Sequence, residues 1–303
     1  MMNIVGIGAN VCDTLLTVPN FPKEDTKMKA SATVQSGGGP CATGLVAAAK
    51  LGAKCGFIGN LTDDGSGVFL KGDFEKYGVS TELTEIKKGY ISFASTILLS
   101  EETASRTCVF DRGNIPPTEL TDSRKKAIAD AQILMVDGND LSAAIEGAKV
   151  ARENGTKVLY DAGGLYEGIE ELLKLTDILI PSEEFSLGHT KCDNAEDAAK
   201  KLYEEYSPEV VVITQGKDGG IIYDGKKVTK YPAFLVDAVD SNGSGDVFHG
   251  AFAFSLVMGY NYEKCAIFSS AVSALKCTKV GARKAVPTYD ETINFLKERG
   301  VNV

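Results

Sequence analysis

Residues 240–250 read DSNGSGDVFHG and run on into AFAFSLVMG. Gly243, Ser244 and Gly245 form a tight turn of small residues, and the apolar positions Val247, Phe248, Ala251 and Phe252 then open a buried helix. The turn is therefore the N-terminus of that helix. Amides at a helix start have no partner inside the helix and sit at the positive end of its dipole, which suits a phosphate or a developing negative charge. Asp246 is placed to accept a proton from a substrate hydroxyl while the turn from Asn242 to Gly245 holds the group being transferred. The competing reading is an ordinary helix start with a carboxylate in its first turn, where the dipole favours one in any case.

Working outward, Asp240 before the turn, Phe248 two residues after the aspartate and the long apolar helix together resemble the C-terminal signature of the ribokinase-like (PfkB) carbohydrate kinases. That signature is usually DTxGAGDxF and is DSNGSGDVF here. A second match covers residues 37–67, where Gly38 and Gly39 precede PCATGLVAAAKLG and then GFIGNLTDDGSG. This is similar to the family's N-terminal signature, a diglycine leading into a helix. Glycines let the backbone approach a polyol, and a helix starting at Thr43 would present amides and a hydroxyl to it. Alone, the segment would read as a strand-to-helix turn without a ligand. GANVCD at 8–13 resembles the family's placement of a sugar-binding aspartate after the first strand, which implies that role for Asp13; the rival is a turn aspartate capping its own backbone. A dinucleotide fingerprint does not fit, because GIGANV lacks the third glycine.

The resemblance extends to the nucleotide side. TQGKDG at 214–219 is similar to the family's nucleotide-contacting turn and implies Thr214, Gly216 and Gly219 beside the nucleotide. KCTKVGARKAVP at 276–287 resembles the segment that closes over adenine and, in many members, supplies carbonyls to a monovalent cation such as K⁺. Two departures stand out. Thr43 replaces the asparagine usual after the diglycine, and the NxxE motif that organises magnesium-bound water is absent, with Ser182 and Phe185 at its two defining positions. Ser182 and Glu183 are left as the candidates there. The wording GGGPCAT, DVFHGA and SALKCT is most like the branch with sulfofructose kinase and related ketose kinases. An anionic sugar would need cations, for which Lys27, Lys29, Arg106 and Arg112 are available.

The rest of the chain supplies the frame. Short β-branched runs at 3–8, 55–59, 133–137, 157–161, 177–180 and 210–214 alternate with helical spacings such as 142–154 and 194–206, a rhythm that predicts a parallel sheet covered by helices. Segments 13–35 and 89–112 break it with alternating residues, the second as strands 90–99 and 106–111 around a polar turn. They predict a small separate sheet acting as a lid, or else immobile edge hairpins. The expected fold class is α/β, a ribokinase-like three-layer α/β/α sandwich with a mainly parallel central sheet, one kinase domain over residues 1–303 with those lid segments inserted.

A net charge of −9 over 303 residues argues against nucleic-acid or membrane-surface partners, since no basic patch offsets it. Seven scattered cysteines without a CxxC pair, no signal-peptide pattern and no long apolar run point to a reduced, cytoplasmic protein without a protein-bound metal cluster. The expected function is transfer of the ATP γ-phosphoryl group to a hydroxyl of ribose, fructose or a related, anionic or neutral, ketose, with Mg²⁺ on the phosphates and a homodimer formed through the lid. A nucleoside kinase with Phe21, Tyr90 and Phe110 as a base clamp is one alternative. A catalytically silent sugar-binding regulator is the other.

Overall fold

The computed structural model describes residues 2–103 and 105–303. Among these, nine strands form one sheet in the order Val228–Tyr231, Gly220–Tyr223, Val210–Thr214, Ile178–Pro181, Lys157–Ala162, Ile133–Val136, Ile4–Ile7, Cys55–Phe57 and Val79–Ser80. All pairings from Val210–Thr214 onward are parallel, and the two pairings made by Gly220–Tyr223 are antiparallel, so that strand alone runs against the others. The six strands expected from the β-branched runs are all in this sheet. The antiparallel edge pair and Val79–Ser80 went unread, because Val228–Tyr231 is half exposed and carries polar Thr229 and Lys230, and Val79–Ser80 is only two residues long.

Alternation along each strand divides the core into two layers. Ile4, Ile133, Met135 and Leu159 face the helices Pro40–Leu51, Ser244–Val257 and Tyr262–Cys277. Val5, Ile7, Leu134, Val136, Val158 and Tyr160 face Leu141–Asn154 and Ala195–Tyr206 on the opposite side. Strands buried on both faces need continuous apolar runs, which is why they were legible. Each such side chain contributes roughly 1.5–3 kcal/mol on burial.

A second, four-stranded sheet has the order Ala32–Gly38, Val11–Val18, Ala94–Ser100, Arg106–Asp111. Its outer pairings are antiparallel, while the central one is parallel and sets Asp13 opposite Ser95. It is separate from the large sheet, as the broken rhythm predicted. Residues 90–93 are not strand, contrary to expectation, because side chains take their amides: Ile91 N donates to Asn114 Oδ1 at 2.7 Å and Ser92 N to Asp64 Oδ2 at 2.9 Å. Position 104, in the expected polar turn, lies outside the described residues. Gly59–Thr62 and Thr84–Lys87 form a further two-stranded sheet.

The first glycine-led helix begins at Pro40, three residues earlier than expected, so Thr43 sits inside its first turn. Proline is pre-set for the first helical position, and Gly39 enters it at φ 91°, where a Cβ would strike Ala9 O. This helix crosses Ser244–Val257 so closely that a Cβ on Gly250 would overlap Gly44 O. Two motifs some two hundred residues apart in sequence are thereby pressed together.

Candidate active site

Gly243, at φ 73°, turns the chain into the Ser244–Val257 helix, and Asp240 braces the turn from below. Asp240 Oδ1 accepts from Asn242 N and its Oδ2 from Gly281 N, both at 2.8 Å. Ser244 N donates to Ser241 O at 3.2 Å. Asn242 and Ser244, expected to give amides to an anion, therefore spend them within the turn. Among the described residues, the amides of Gly243, Gly245 and Asp246 take no protein partner. A Cβ on Gly245 would meet only open space, so an anion can approach there.

A cavity of about 190 Å³ opens on one side of the turn, lined by Asp13, Gly38, Gly39, Thr43, Asn242, Gly243 and Asp246, with Phe93, Ser95, Ile97, Cys108 and Phe110 of or beside the small sheet. All four residues expected to hold the sugar meet here with the expected base. Asp13 Oδ1 accepts from Ser95 Oγ at 2.7 Å, and the absence of a Cβ on Gly38 leaves room for the other carboxylate oxygen. Burial pushes the Asp13 carboxyl up, opposed by that hydrogen bond and by Arg283. Burial also raises Asp246, against the pull of His249. Thr43 Oγ1 is buried with no hydrogen-bond partner among the described residues, and its residue lines this cavity. The amides of its helix, by contrast, are consumed: Cys41 N donates to Asp137 Oδ2 at 3.0 Å, Ala42 N to Ala9 O at 3.3 Å and Thr43 N to Gly39 O at 2.9 Å. That helix start offers a hydroxyl and no amides.

On the other side of the turn lies a cavity of about 340 Å³, bounded by Thr214, Gly216 and Gly219, by Ser244 and Gly245, and by apolar Phe234, Leu235, Val236 and Ala274. The expected nucleotide turn thus meets the far face of the Asn242–Gly245 turn. Ser182 and Glu183 are not part of this lining. Ser182 Oγ accepts from Phe185 N at 3.1 Å as a helix cap, and Glu183 Oε1 accepts from Gln215 Nε2 at 2.7 Å, one residue beyond Thr214. Of the 276–287 segment, Cys277 lines the cavity.

Several residues at the site were not foreseen. His249 directs Nδ1 at Gly245 O (2.7 Å) and Nε2 at Ile180 O (2.9 Å), with Asp161 Oδ2 3.2 Å from Nδ1. The ring thus bridges the first turn of the Ser244–Val257 helix and the Ile178–Pro181 strand, and burial raises the carboxyl of the neighbouring Asp161. Arg283, 1% exposed, donates to Asp73 Oδ2 at 2.7 Å, Asn10 Oδ1 at 2.9 Å and Gly38 O at 2.6 Å, tying the C-terminal segment to the diglycine. In GARKAV it looks like a surface arginine, and nothing local signals otherwise. Asp137 and Lys276 were missed for the same reason.

The cations considered for an anionic sugar are dispersed. Lys27 and Lys29 are exposed and line neither cavity. Arg106 reaches from the small sheet to Asn242 Oδ1 at 3.2 Å, and Arg112 packs over the Phe93 and Phe110 rings in a third cavity of about 240 Å³. Of the base clamp weighed above, Phe110 lines the cavity that holds Asp13 and Asp246, whereas Phe21 and Tyr90 do not.

Comparison with known proteins bears on the family and the fold. Residues 1–289 match the model of the pfkB family carbohydrate kinases. The chain is 27% identical to a ribokinase of Haemophilus influenzae, covering 96% of this chain and 97% of that one. It is 29% identical to an ATP-dependent ribose-1-phosphate kinase of Halopiger xanaduensis, covering 99% of each. A putative ribokinase from Agrobacterium tumefaciens superposes with a TM-score of 0.92 at 25% identity, over 98% of both chains. The family match and these relatives make the chain a phosphotransferase with an alcohol acceptor. The chain belongs to the pfkB family of carbohydrate kinases.

Proposed function

We propose that this protein transfers the γ-phosphoryl group of ATP to a sugar hydroxyl, with Asp246 as general base. The observation that carries the reading is the shared wall: Asn242, Gly243 and Asp246 face the cavity holding Asp13 and Thr43, while Ser244 and Gly245 of the same turn face the cavity holding Thr214 and Gly216. A hydroxyl on one side and a phosphate on the other would meet at the free amides of Gly243 and Gly245. Asp246 would take the hydroxyl proton as the amides receive the transferred group. Asp13 and the Thr43 hydroxyl would orient the sugar, and Phe93, Ile97 and Phe110 would exclude water as the small sheet closes as a lid.

ATP as donor is supported by the ribose-1-phosphate kinase relative, whose own name is ATP-dependent. Mg²⁺ in this reading arrives on the nucleotide phosphates, where it would neutralise their charge. Glu183, steered by Gln215 beside the Thr214 turn, is the carboxylate available to its water shell.

The acceptor in this reading is ribose, fructose or a related ketose, anionic ones included, because Arg106 stands over Asn242. A nucleoside acceptor has one observation in its favour, the Phe93–Phe110 pair at 5.8 Å beside the sugar-side cavity. A homodimer through the small sheet belongs to the same proposal, with Val34 and Val109 46% and 67% exposed on its strands. The test is ADP release over a panel of ribose, fructose, ribose 1-phosphate, a sulfonated ketose and adenosine. Turnover with a sugar is expected. Turnover with adenosine alone would favour the nucleoside reading, and none with any compound would end the proposal.

A further inference from the structure

A lysine is rarely buried without a charged partner. Lys276 is fully buried, at 0% exposure, directly beneath the anion-binding turn. Its Nζ donates to Asp240 O at 2.6 Å and lies 3.7 Å from Asp240 Oδ2. Asp240 is the residue whose two carboxylate oxygens fix the amides of Asn242 and Gly281, and its own N–H bonds Cys277 O. One ammonium therefore neutralises the carboxylate on which the turn is built. Burial pulls the Lys276 pKa down and Asp240 pulls it back up.

The C-terminal segment resembles one that in many relatives supplies carbonyls to a monovalent cation, yet in this chain its first residue already carries a positive charge to that place. A backbone carbonyl and a carboxylate oxygen are the donors a hard monovalent ion takes, and here the ammonium hydrogen-bonds the first and ion-pairs with the second. A second cation held beside that buried ammonium would be repelled by it. We propose that Lys276 is a built-in monovalent cation: its ammonium holds Asp240 and hence the Asn242–Gly245 turn in place, so that nucleotide binding and turnover need no potassium. Lys276 is a positioning residue, acting through Asp240 without touching the substrate.

This rests on the turn serving a nucleotide, so the test includes a readout that survives failure of that reading. Melting temperature and ATP affinity of the wild type are measured in tetramethylammonium, sodium and potassium salts at matched ionic strength. No potassium-specific change is expected, and a potassium-dependent rise in either would overturn the proposal. Lys276→Ala removes the internal charge and opens space beside Asp240. It is expected to melt lower and to acquire a saturable rise in melting temperature with potassium or ammonium, absent with tetramethylammonium, as binding linkage requires. An alanine variant that folds and ignores these ions would refute the idea. Lys276→Met keeps the stem and most of the volume, guarding against a variant that fails to fold. It is expected to weaken ATP binding by about 10-fold, the scale of losing an outer support of a charged site. Wild-type affinity and melting temperature in the methionine variant would equally refute it, and if the wild type bound no ATP the melting measurements would still decide.

Discussion

The helices Pro40–Leu51 and Ser244–Val257 both start on a glycine with positive φ, cross one another at Gly44 and Gly250, and yet present opposite chemistry. At the first, no early amide is free: Pro40 has none, and those of Cys41, Ala42 and Thr43 are taken by Asp137, Ala9 and Gly39. At the second, Gly245 and Asp246 keep theirs unpaired among the described residues. The protein supplies its own carboxylate, Asp137, to one dipole and leaves the other for an incoming anion. A glycine-rich helix start is an anion site only when the fold brings no anion of its own to it.

The sharpest way to test this contrast is at the open end. Asp246→Asn is expected to cut turnover by at least ~10²-fold, the usual loss of a general base. It should also raise the melting temperature. Burial holds this carboxyl above its ordinary value, so the fold favours the uncharged form and the charge costs stability at neutral pH. The same direction predicts that wild-type turnover drops on acidification at a higher pH than an exposed carboxylate would give, as protonation removes the base. A variant with near-normal turnover, or an unshifted acid limb, would break the assignment.

At the closed end the expected damage is to stability. Asp137→Ala strips the acceptor from the amides of Ala9, Cys41 and Asn139 and should cost about 2 kcal/mol or more in denaturant unfolding, since buried amides are left without partners. Turnover per folded molecule should fall far less than in Asp246→Asn. Equal losses of activity would erase the distinction between the two helix starts.

The smallest effect is the most diagnostic. Gly245→Ala has room for its methyl and should stabilise the helix by roughly 0.5–1 kcal/mol. The methyl occupies the approach to the free amide, so turnover should drop about 10-fold through misplacement of the phosphate. Stability and activity moving in the same direction would show that the space at Gly245 is not used.

Strands buried on both faces demand apolar runs, so the parallel sheet could be read in advance, and a break in that rhythm marked the separate small sheet. The residues Asp13, Gly38, Gly39, Thr43 and Asp246 were named through the resemblance to the family's signatures, whose glycines admit a close neighbour. They meet around one cavity as expected. Ser182 did not join the second cavity, because its hydroxyl caps the helix that follows it, a competition any serine before a helix faces.

Local pattern by itself determined where the chain would turn, which faces would be apolar and which carboxylate would stand at the second helix start. Only the tertiary structure decided which amides stay free and which charges turn inward. The partners concerned lie far apart along the chain: Asp137 caps Ala9 across 128 residues, Arg283 reaches Gly38 across 245, and Lys276 finds Asp240 across 36. A charged side chain looks the same in sequence whether it meets water or a buried oxygen, and only the folded packing selects between the two.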